Sequence, residues 1–268
     1  LSDLGARVTV INDEPDGCNI NEKCGSLHLD LAKSYLEEAQ ADLLVSHDGD
    51  ADRALFLDEQ GGIVDGDHVL AICAKHLFSS KEGKGRGEAS LAAPPLVVST
   101  VMANLGLELA LEKISVALVR TDVGDRWVKE EMEDKHALLG GEQSGHIIFS
   151  PFSRTGDGLL TALQLMKVML ESKMPLSELA SIVRKYPQVL KNVEVHEKPP
   201  FSELEALQRV LKREREELAK EGRILLRYSG TEPLARVMVE GRDASLIAAV
   251  AERIAAAIGD EIGKEARS

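Results

Sequence analysis

Short apolar segments of strand length alternate with longer amphipathic segments of helix length along most of this chain. Strand patterns at 96–99 and 115–119 are followed by helical periodicity over 102–113 and 124–134. Such alternation is typical of α/β units that share a largely parallel sheet. We therefore predict an α/β fold for the first two thirds of the chain.

Further elements follow from the same patterns. Strands are predicted over 7–11, 43–45, 54–57, 137–140 and 146–149, and helices over 27–39, 67–78 and 157–171. The apolar positions of the first of these helices are Leu27, Leu31, Tyr35 and Leu36. Asp67 is expected to cap its helix, and the Gly-, Ser-, Lys- and Pro-rich stretch 79–95 to form a surface loop.

The pattern changes after Pro187, where a smaller α+β module of about 80 residues is predicted. Its strands are expected over 189–195, 223–227 and 235–239, and its helices over 202–220 and 243–258. At the other end, Leu1 and Leu4 followed by Gly5 are typical of the end of a helix. We therefore expect the chain to begin inside a domain.

Charge and cysteine content exclude several classes of function. With 32 basic and 45 acidic residues, the net charge of −13 disfavours nucleic acid as a partner. No apolar run approaches the roughly 20 residues that cross a membrane. Three cysteines without zinc spacing, and no signal peptide, predict reduced thiols in a cytoplasmic protein.

Three carboxylates lie within five residues in the loop Asp48-Gly-Asp-Ala-Asp-Arg53, between two apolar strands. Gly49 allows the turn that brings them together, and converging carboxylates suit Mg²⁺ or Ca²⁺. An EF-hand is excluded because Arg53 stands where that loop needs glycine. A solvated acidic turn is the remaining alternative, although three adjacent carboxylates repel one another without a cation. Arg53 is placed to contact a phosphate beside the metal.

Two further loops carry candidate binding groups. In Gly140-Gly-Glu-Gln-Ser-Gly-His146, an extended backbone would direct Glu142 and Ser144 to one side, where they suit sugar hydroxyls, and His146 can carry a proton. Arg227-Tyr-Ser-Gly-Thr-Glu-Pro233, with Arg236 beyond it, has the donors of a phosphate site. Taken singly, a structural glycine turn and an ordinary β-turn stay open as alternatives.

Together and in this order, the three loops resemble the α-D-phosphohexomutase superfamily, with its DGDxDR, GE-x-SGH and R-x-SGTEP motifs. Four flanking segments resemble the bacterial phosphoglucosamine mutases rather than the phosphomannomutases. They are Pro15-Asp-Gly-Cys-Asn-Ile-Asn21, Thr100-Val-Met-Ala-Asn-Leu-Gly106, Thr121-Asp-Val-Gly-Asp-Arg126 and Thr155-Gly-Asp-Gly158. The resemblance covers nearly the whole chain.

The resemblance implies mixed three-layer α/β domains followed by a smaller α+β C-terminal domain. On this basis residues 1–62 are the end of a second domain with the metal loop. Residues 63–186 are a third domain with the sugar loop, and 187–268 are a fourth with the phosphate loop.

The resemblance also implies a reaction: glucosamine 6-phosphate and glucosamine 1-phosphate interconvert through a phosphoserine and a bisphosphate intermediate, on the route to the cell wall precursor UDP-N-acetylglucosamine. The implied metal ligands for Mg²⁺ are Asp48, Asp50 and Asp52. The implied substrate-binding residues are Glu142, Ser144, Arg227, Ser229, Gly230 and Thr231. Arg53 and His146 are the implied catalytic residues, beside the transferring phosphoryl group.

The family's nucleophilic T-x-S-H-N-P loop does not occur in these residues. We therefore expect a C-terminal part of a mutase that is inactive by itself. The alternatives are a phosphomannomutase/phosphoglucomutase, a non-catalytic module that binds metal and sugar phosphate, and a phosphatase with Asp48 as its nucleophile. The expected partner is a hexosamine phosphate, without nucleic acid or membrane, and the oligomeric state is left open, a homodimer included.

Overall fold

The architecture is that of a computed structural model, which describes residues 1–79 and 95–263. The predicted surface loop over 79–95 lies almost entirely outside the described residues. Two compact units divide the chain, one of residues 1–103 and 107–184 and the other of residues 104–106 and 185–268. The proposed domain boundary at 62/63 falls inside the first unit and stays a prediction. No helix in the described ranges is long and apolar enough to cross a membrane.

The described residues of the first unit form two sheets. Its strands are β1 (Leu43–His47), β2 (Ala54–Asp58), β3 (Ile63–Val64), β4 (Leu96–Thr100), β5 (Ala117–Thr121), β6 (Leu139–Gly141) and β7 (Ile147–Phe149). Its helices are α1 (Leu29–Ala39), α2 (Gly66–Ser79), α3 (Leu105–Lys113), α4 (Asp125–Asp134), α5 (Gly158–Ser172) and α6 (Leu176–Ala180). Strands β1, β2 and β3 form an antiparallel sheet, and β5-β4-β6-β7 a mixed one.

The mixed sheet is the middle layer of three. Neighbouring residues of β4 point to opposite faces, as the period of two in a strand requires. Val97 packs into the large core with α2 and α5, whereas Val98 packs with Val128 and Met132 of α4. This confirms the predicted three-layer α/β arrangement. The parallel order extends only over β5, β4 and β6, because β7 returns antiparallel to β6 through a tight hairpin.

In the part of the second unit that the structure describes, an antiparallel sheet packs against two helices. Its strands β8 (Gln188–Glu194), β9 (Gly222–Tyr228) and β10 (Leu234–Gly241) have the order β8-β10-β9. Helices α7 (Glu205–Leu218) and α8 (Ala244–Ile262) bury their apolar faces in its core. Asp243 caps α8 by accepting hydrogen bonds from the amides of Ser245 and Leu246. The predicted α+β module is confirmed.

Several sequence-based expectations were wrong in detail. Residues 7–11 form no strand, since no described strand pairs with them and Val10 is 62% exposed. The predicted helix 27–39 begins at Leu29, and its buried residues are Leu29 and Leu36, whereas Leu27, Leu31 and Tyr35 are exposed. Both errors have the same cause. The spacing of apolar residues predicts that a segment has an apolar face, but it does not show which other element packs against that face.

Other helix boundaries also differ from those predicted from the sequence. Asp67 lies inside the first turn of α2, which begins at Gly66, so it does not stand before the helix as a cap. The single helix expected over 202–220 is divided into a 3₁₀ turn (Phe201–Glu203), α7 and a second 3₁₀ turn (Ala219–Glu221). Strand β3 and helix α6 were not predicted, since each is too short for a periodic pattern.

A buried carboxylate joins the two helices of the second unit. Glu214 of α7 is fully buried and accepts hydrogen bonds from Arg253 of α8 (2.9 Å from Nε to Oε1) and from its neighbour Arg213. The hydrogen bonds from Arg253 hold the pKa of the Glu214 carboxyl below its ordinary value.

This depressed pKa predicts acid sensitivity. Glu214 contributes stability above the pKa of an unfolded glutamate, about 4.3, and loses it as the pH falls through its folded pKa. We expect the free energy of unfolding, measured with urea at pH 7 and pH 3.5, to fall less on acidification in Glu214→Gln than in the unsubstituted chain. Glu205→Gln, at an exposed position of α7, is the control; equal pH dependence in all three chains would refute the assignment.

Candidate active site

The metal loop, residues 48–53, connects the antiparallel strands β1 and β2. Ala51 has a left-handed backbone (φ +57°), and its amide donates to the carbonyl of Asp48 at 3.2 Å. This turn brings one carboxylate oxygen from each of three residues within 4.8 Å of one another. Those residues are Asp48, Asp50 and Asp52. The spacing i, i+2, i+4 therefore produces a convergent oxygen cluster.

Two observations show that this cluster fits a cation. Asp52 Oδ1 is buried and has no hydrogen-bond partner among the described residues, which is costly for a carboxylate oxygen. The guanidinium of Arg53 does not satisfy these oxygens, since its Nε lies 3.8 Å from Asp52 Oδ1 and 3.7 Å from Asp48 Oδ2, beyond hydrogen-bond distance. An all-oxygen set of this kind matches the ligand preference of Mg²⁺.

The sugar loop, residues 142–146, connects β6 and β7. Glu142 is oriented from both sides, since the amide of Gly124 donates to Oε1 at 3.2 Å and the hydroxyl of Ser144 lies 3.4 Å from Oε2. The amide of Gly66, at the start of α2, holds the carbonyl of Gln143 at 3.1 Å. Glu142 and Ser144 therefore form one hydrogen-bonding pair on a fixed backbone.

Backbone contacts join the metal loop to the sugar loop. Arg53 and His146 form an isolated antiparallel bridge, and the amide of Ala54 donates to the carbonyl of Gly145 at 3.2 Å. The imidazole of His146 is buried, with Nδ1 2.8 Å from Asp52 Oδ2 and Nε2 3.0 Å from the amide of Gly156. The three aspartates, Arg53 and His146 are therefore one constellation.

The phosphate loop belongs to the second unit and connects β9 to β10. Arg227 and Arg236 stand opposite each other on these strands, a like-charge pair that is unfavourable unless an anion lies nearby. The side chain of Arg236 pairs with Glu232 at 3.0 Å, whereas the guanidinium of Arg227 has no hydrogen bond or ion pair among the described residues. Lys198 donates to the carbonyl of Ser229 at 2.6 Å and so fixes the turn.

The remaining predicted phosphate ligands flank that turn. Ser229 is buried, and its hydroxyl accepts from the amide of Glu232 at 3.3 Å, while Gly230 and Thr231 are exposed. Sequence reasoning missed the supporting residues Gly66, Gly124, Gly156 and Lys198. The segments holding Gly124 and Gly156 carry the resemblance, but their contacts with Glu142 and His146, 18 and 10 positions away, follow from no local spacing pattern.

Two family models match this chain. Residues 65–186 match the phosphoglucomutase/phosphomannomutase alpha/beta/alpha domain III, and residues 190–257 match the C-terminal domain of the same family. Curated relatives include phosphoglucosamine mutases of Desulfovibrio desulfuricans, 45% identical over 98% of this chain, and of Clostridium acetobutylicum, 48% identical over 94%. The chain spans only 56% and 55% of those relatives, about half their length.

A similar solved structure is that of the Aspergillus fumigatus N-acetylphosphoglucosamine mutase in complex with GlcNAc-6P and magnesium. It is 24% identical, aligns with 96% of this chain and 61% of its own, and gives a TM-score of 0.70. At this identity the likeness establishes the fold.

Proposed function

Because the chain belongs to the phosphoglucomutase/phosphomannomutase family, we propose that its native protein interconverts glucosamine 6-phosphate and glucosamine 1-phosphate. One observation carries this proposal: of three convergent aspartates, Asp52 is hydrogen-bonded to His146 of the same loop that presents Glu142 and Ser144. That arrangement supports a cation site beside groups suited to sugar hydroxyls. The names of the curated relatives favour the amino sugar over glucose or mannose.

Asp48, Asp50 and Asp52 would hold Mg²⁺, which when bound neutralises negative charge on the transferring phosphoryl group. Arg53 lies against two of these carboxylates and is half exposed, so its guanidinium can donate to phosphoryl oxygens. We assign Arg53 the stabilisation of that group. As the resemblance implies, the phosphoryl donor would be a serine that these 268 residues do not supply.

Glu142 and Ser144 would bind sugar hydroxyls in both orientations of the substrate. Glu142 Oε1 and Oε2 are already aligned by Gly124 and Ser144, which reduces the ordering needed on binding. His146 has both ring nitrogens engaged and is 3% exposed, which favours an orienting role over the transfer of a proton. We therefore propose that His146 acts through Asp52.

Arg227, Ser229, Gly230 and Thr231 would bind the phosphate that does not react. Arg236 would assist, because it faces Arg227 across the two strands and its buried Nε has no hydrogen-bond partner among the described residues. Lys198 would act indirectly, through the carbonyl of Ser229. We propose a cytoplasmic protein without nucleic-acid or membrane partners, with its oligomeric state left open.

The proposal is tested by following the native protein with ³¹P NMR on glucosamine, glucose and mannose 6-phosphates. We expect conversion of the amino sugar to its 1-phosphate at the highest kcat/KM. Turnover of glucose or mannose phosphate without the amino sugar would favour a phosphomannomutase/phosphoglucomutase. Release of inorganic phosphate that is lost in Asp48→Asn would favour the phosphatase, and binding without turnover the non-catalytic module.

A substitution in the phosphate loop tests how the substrate is held. Arg227→Met in the native protein should lower kcat/KM for the sugar phosphate by about 10–100-fold, mostly through KM, since a charge-assisted hydrogen bond is lost. Steady-state kinetics measure this. Arg209→Met, at an exposed arginine of α7, is the control. An unchanged KM in Arg227→Met would remove Arg227 from the phosphate site.

A further inference from the structure

The first turn of α5 and the residues just before it lie against the metal loop. We name residues 156–158 the α5 start. The amide of Gly158 donates to the carbonyl of Ala51 at 3.0 Å, and the amide of Gly156 donates to Nε2 of His146 at 3.0 Å. Two backbone donors two residues apart therefore hold the metal loop and the histidine that contacts it.

The contact with Ala51 fixes the turn between two of the aspartates. Ala51 is in the left-handed region, which an L-residue adopts only when its surroundings impose it. Its amide is held by Asp48 within the loop, and its carbonyl is held by Gly158 from outside. The direction in which Asp50 and Asp52 leave the turn is therefore set partly by α5.

No side chain fits at either glycine of the α5 start. A Cβ on Gly158 would lie 2.5 Å from Nδ1 of His47, 2.7 Å from the carbonyl oxygen of Arg53 and 2.9 Å from that of Ala51. A Cβ on Gly156 would lie 2.5 Å from Nε2 of His146. These neighbours are backbone and ring atoms rather than flexible chain ends, so a methyl group would displace the metal loop or the imidazole.

The contact with His146 determines which oxygen of Asp52 stays available. A backbone amide can only donate, so Nε2 accepts from Gly156 and a neutral ring carries its proton on Nδ1. Nδ1 then donates to Asp52 Oδ2 at 2.8 Å. Asp52 Oδ1 is left buried without a hydrogen-bond partner among the described residues, free to face a cation.

We infer that Gly156 and Gly158 are positioning residues for the divalent cation. The α5 start holds the three aspartates in their convergent arrangement, and it does so with backbone donors that leave no room for a side chain. This inference rests on the proposed function, because it assumes that the metal loop binds Mg²⁺. It also assigns a physical role to the Thr155-Gly-Asp-Gly158 segment.

The test is a titration of the 268-residue chain with Mn²⁺ as the probe for Mg²⁺, with free Mn²⁺ measured by electron paramagnetic resonance. We expect Gly158→Ala to weaken binding by about 10–100-fold, the range found when groups that orient metal ligands are removed. Gly259→Ala is the matched control, because this residue lies in α8 with nothing within 4 Å of its added Cβ. It should bind as tightly as the unsubstituted chain, and far-UV circular dichroism establishes that each variant is folded.

The outcomes separate the inference from the proposed function. If the unsubstituted chain does not bind Mn²⁺, the metal proposal itself fails. If it binds, and folded Gly158→Ala binds equally well, the inference fails alone. Should Gly158→Ala not fold, Gly156→Ala decides, since the three atoms nearest its methyl group all belong to the ring of His146; weakened binding supports the inference and unchanged binding overturns it.

Discussion

Asp50→Asn in the native protein should lower kcat for glucosamine 6-phosphate by about 10³-fold, equivalent to about 4 kcal/mol of transition-state stabilisation. Asp50 is the best of the three aspartates to change. Asp48 accepts from the amide of Arg53 and Asp52 from His146, so replacing either would also disturb the loop. Asp50 is exposed and makes no hydrogen bond or ion pair with the described residues.

The loss should come from the cation site rather than from folding. Asp42→Asn, an exposed aspartate just before β1, is the control and should retain full activity. The thermal unfolding midpoints of both variants in EDTA should match that of the unsubstituted protein. Steady-state kinetics at saturating Mg²⁺ measure kcat. Activity of Asp50→Asn within a factor of three of the unsubstituted protein would contradict the role assigned to this loop.

Arg223→Met should lower the free energy of unfolding of the second unit by about 3–5 kcal/mol. Glu240 lies fully buried on the central strand β10, directly opposite Arg223 of β9. Arg223 donates from Nε at 2.7 Å to Glu240 Oε2, and Gln188 of β8 donates to Oε1. Removing the arginine leaves a buried carboxylate without its counter-charge, which is costlier than losing an exposed pair.

Urea unfolding of the chain at pH 7 measures this effect. Arg242→Met is the control, because its pair with Glu221 is exposed on both sides and such pairs contribute at most about 1 kcal/mol. The double variant Arg223→Met, Glu240→Gln should recover part of the loss, since the uncompensated charge is then gone. Equal losses in Arg223→Met and Arg242→Met would show that the buried pair is not the source.

The chemistry of the candidate site was predictable because each loop is continuous in sequence. Three carboxylates at i, i+2 and i+4 can be interpreted without knowing the fold, and the structure brings their oxygens within 4.8 Å. The alternation of strands and helices likewise predicted the α/β part and the smaller α+β part. These features depend on local spacing, which the sequence displays directly.

Features that depend on a distant partner were not predictable. Residues 7–11 have the composition of a strand, yet a strand forms only where another strand supplies its hydrogen bonds. Helix α1 was located, but burial of Leu29 against Leu57, rather than of Leu31, depends on how β2 lies beneath it. Tertiary packing determines which of these residues are buried, and the periodicity of the sequence does not show it.

The support of the metal loop is a second case of this kind. His146 and Asp52 are 94 positions apart, and Gly158 and Ala51 are further apart still. The sequence shows a glycine at 158 but not that a helix start comes within hydrogen-bond distance of the turn between two aspartates. The structure therefore adds the geometry that makes the three carboxylates converge.

Whether the convergent aspartates form a cation site is measured by the number and affinity of Mn²⁺ ions bound by the 268-residue chain, with and without the substitution Asp50→Asn. We expect one Mn²⁺ site per unsubstituted chain, displaced by Mg²⁺, and at least tenfold weaker binding in Asp50→Asn. Asp42→Asn should leave both values unchanged. Absence of binding by the unsubstituted chain, or equal affinity in Asp50→Asn, would contradict the claim that the convergent aspartates form the cation site.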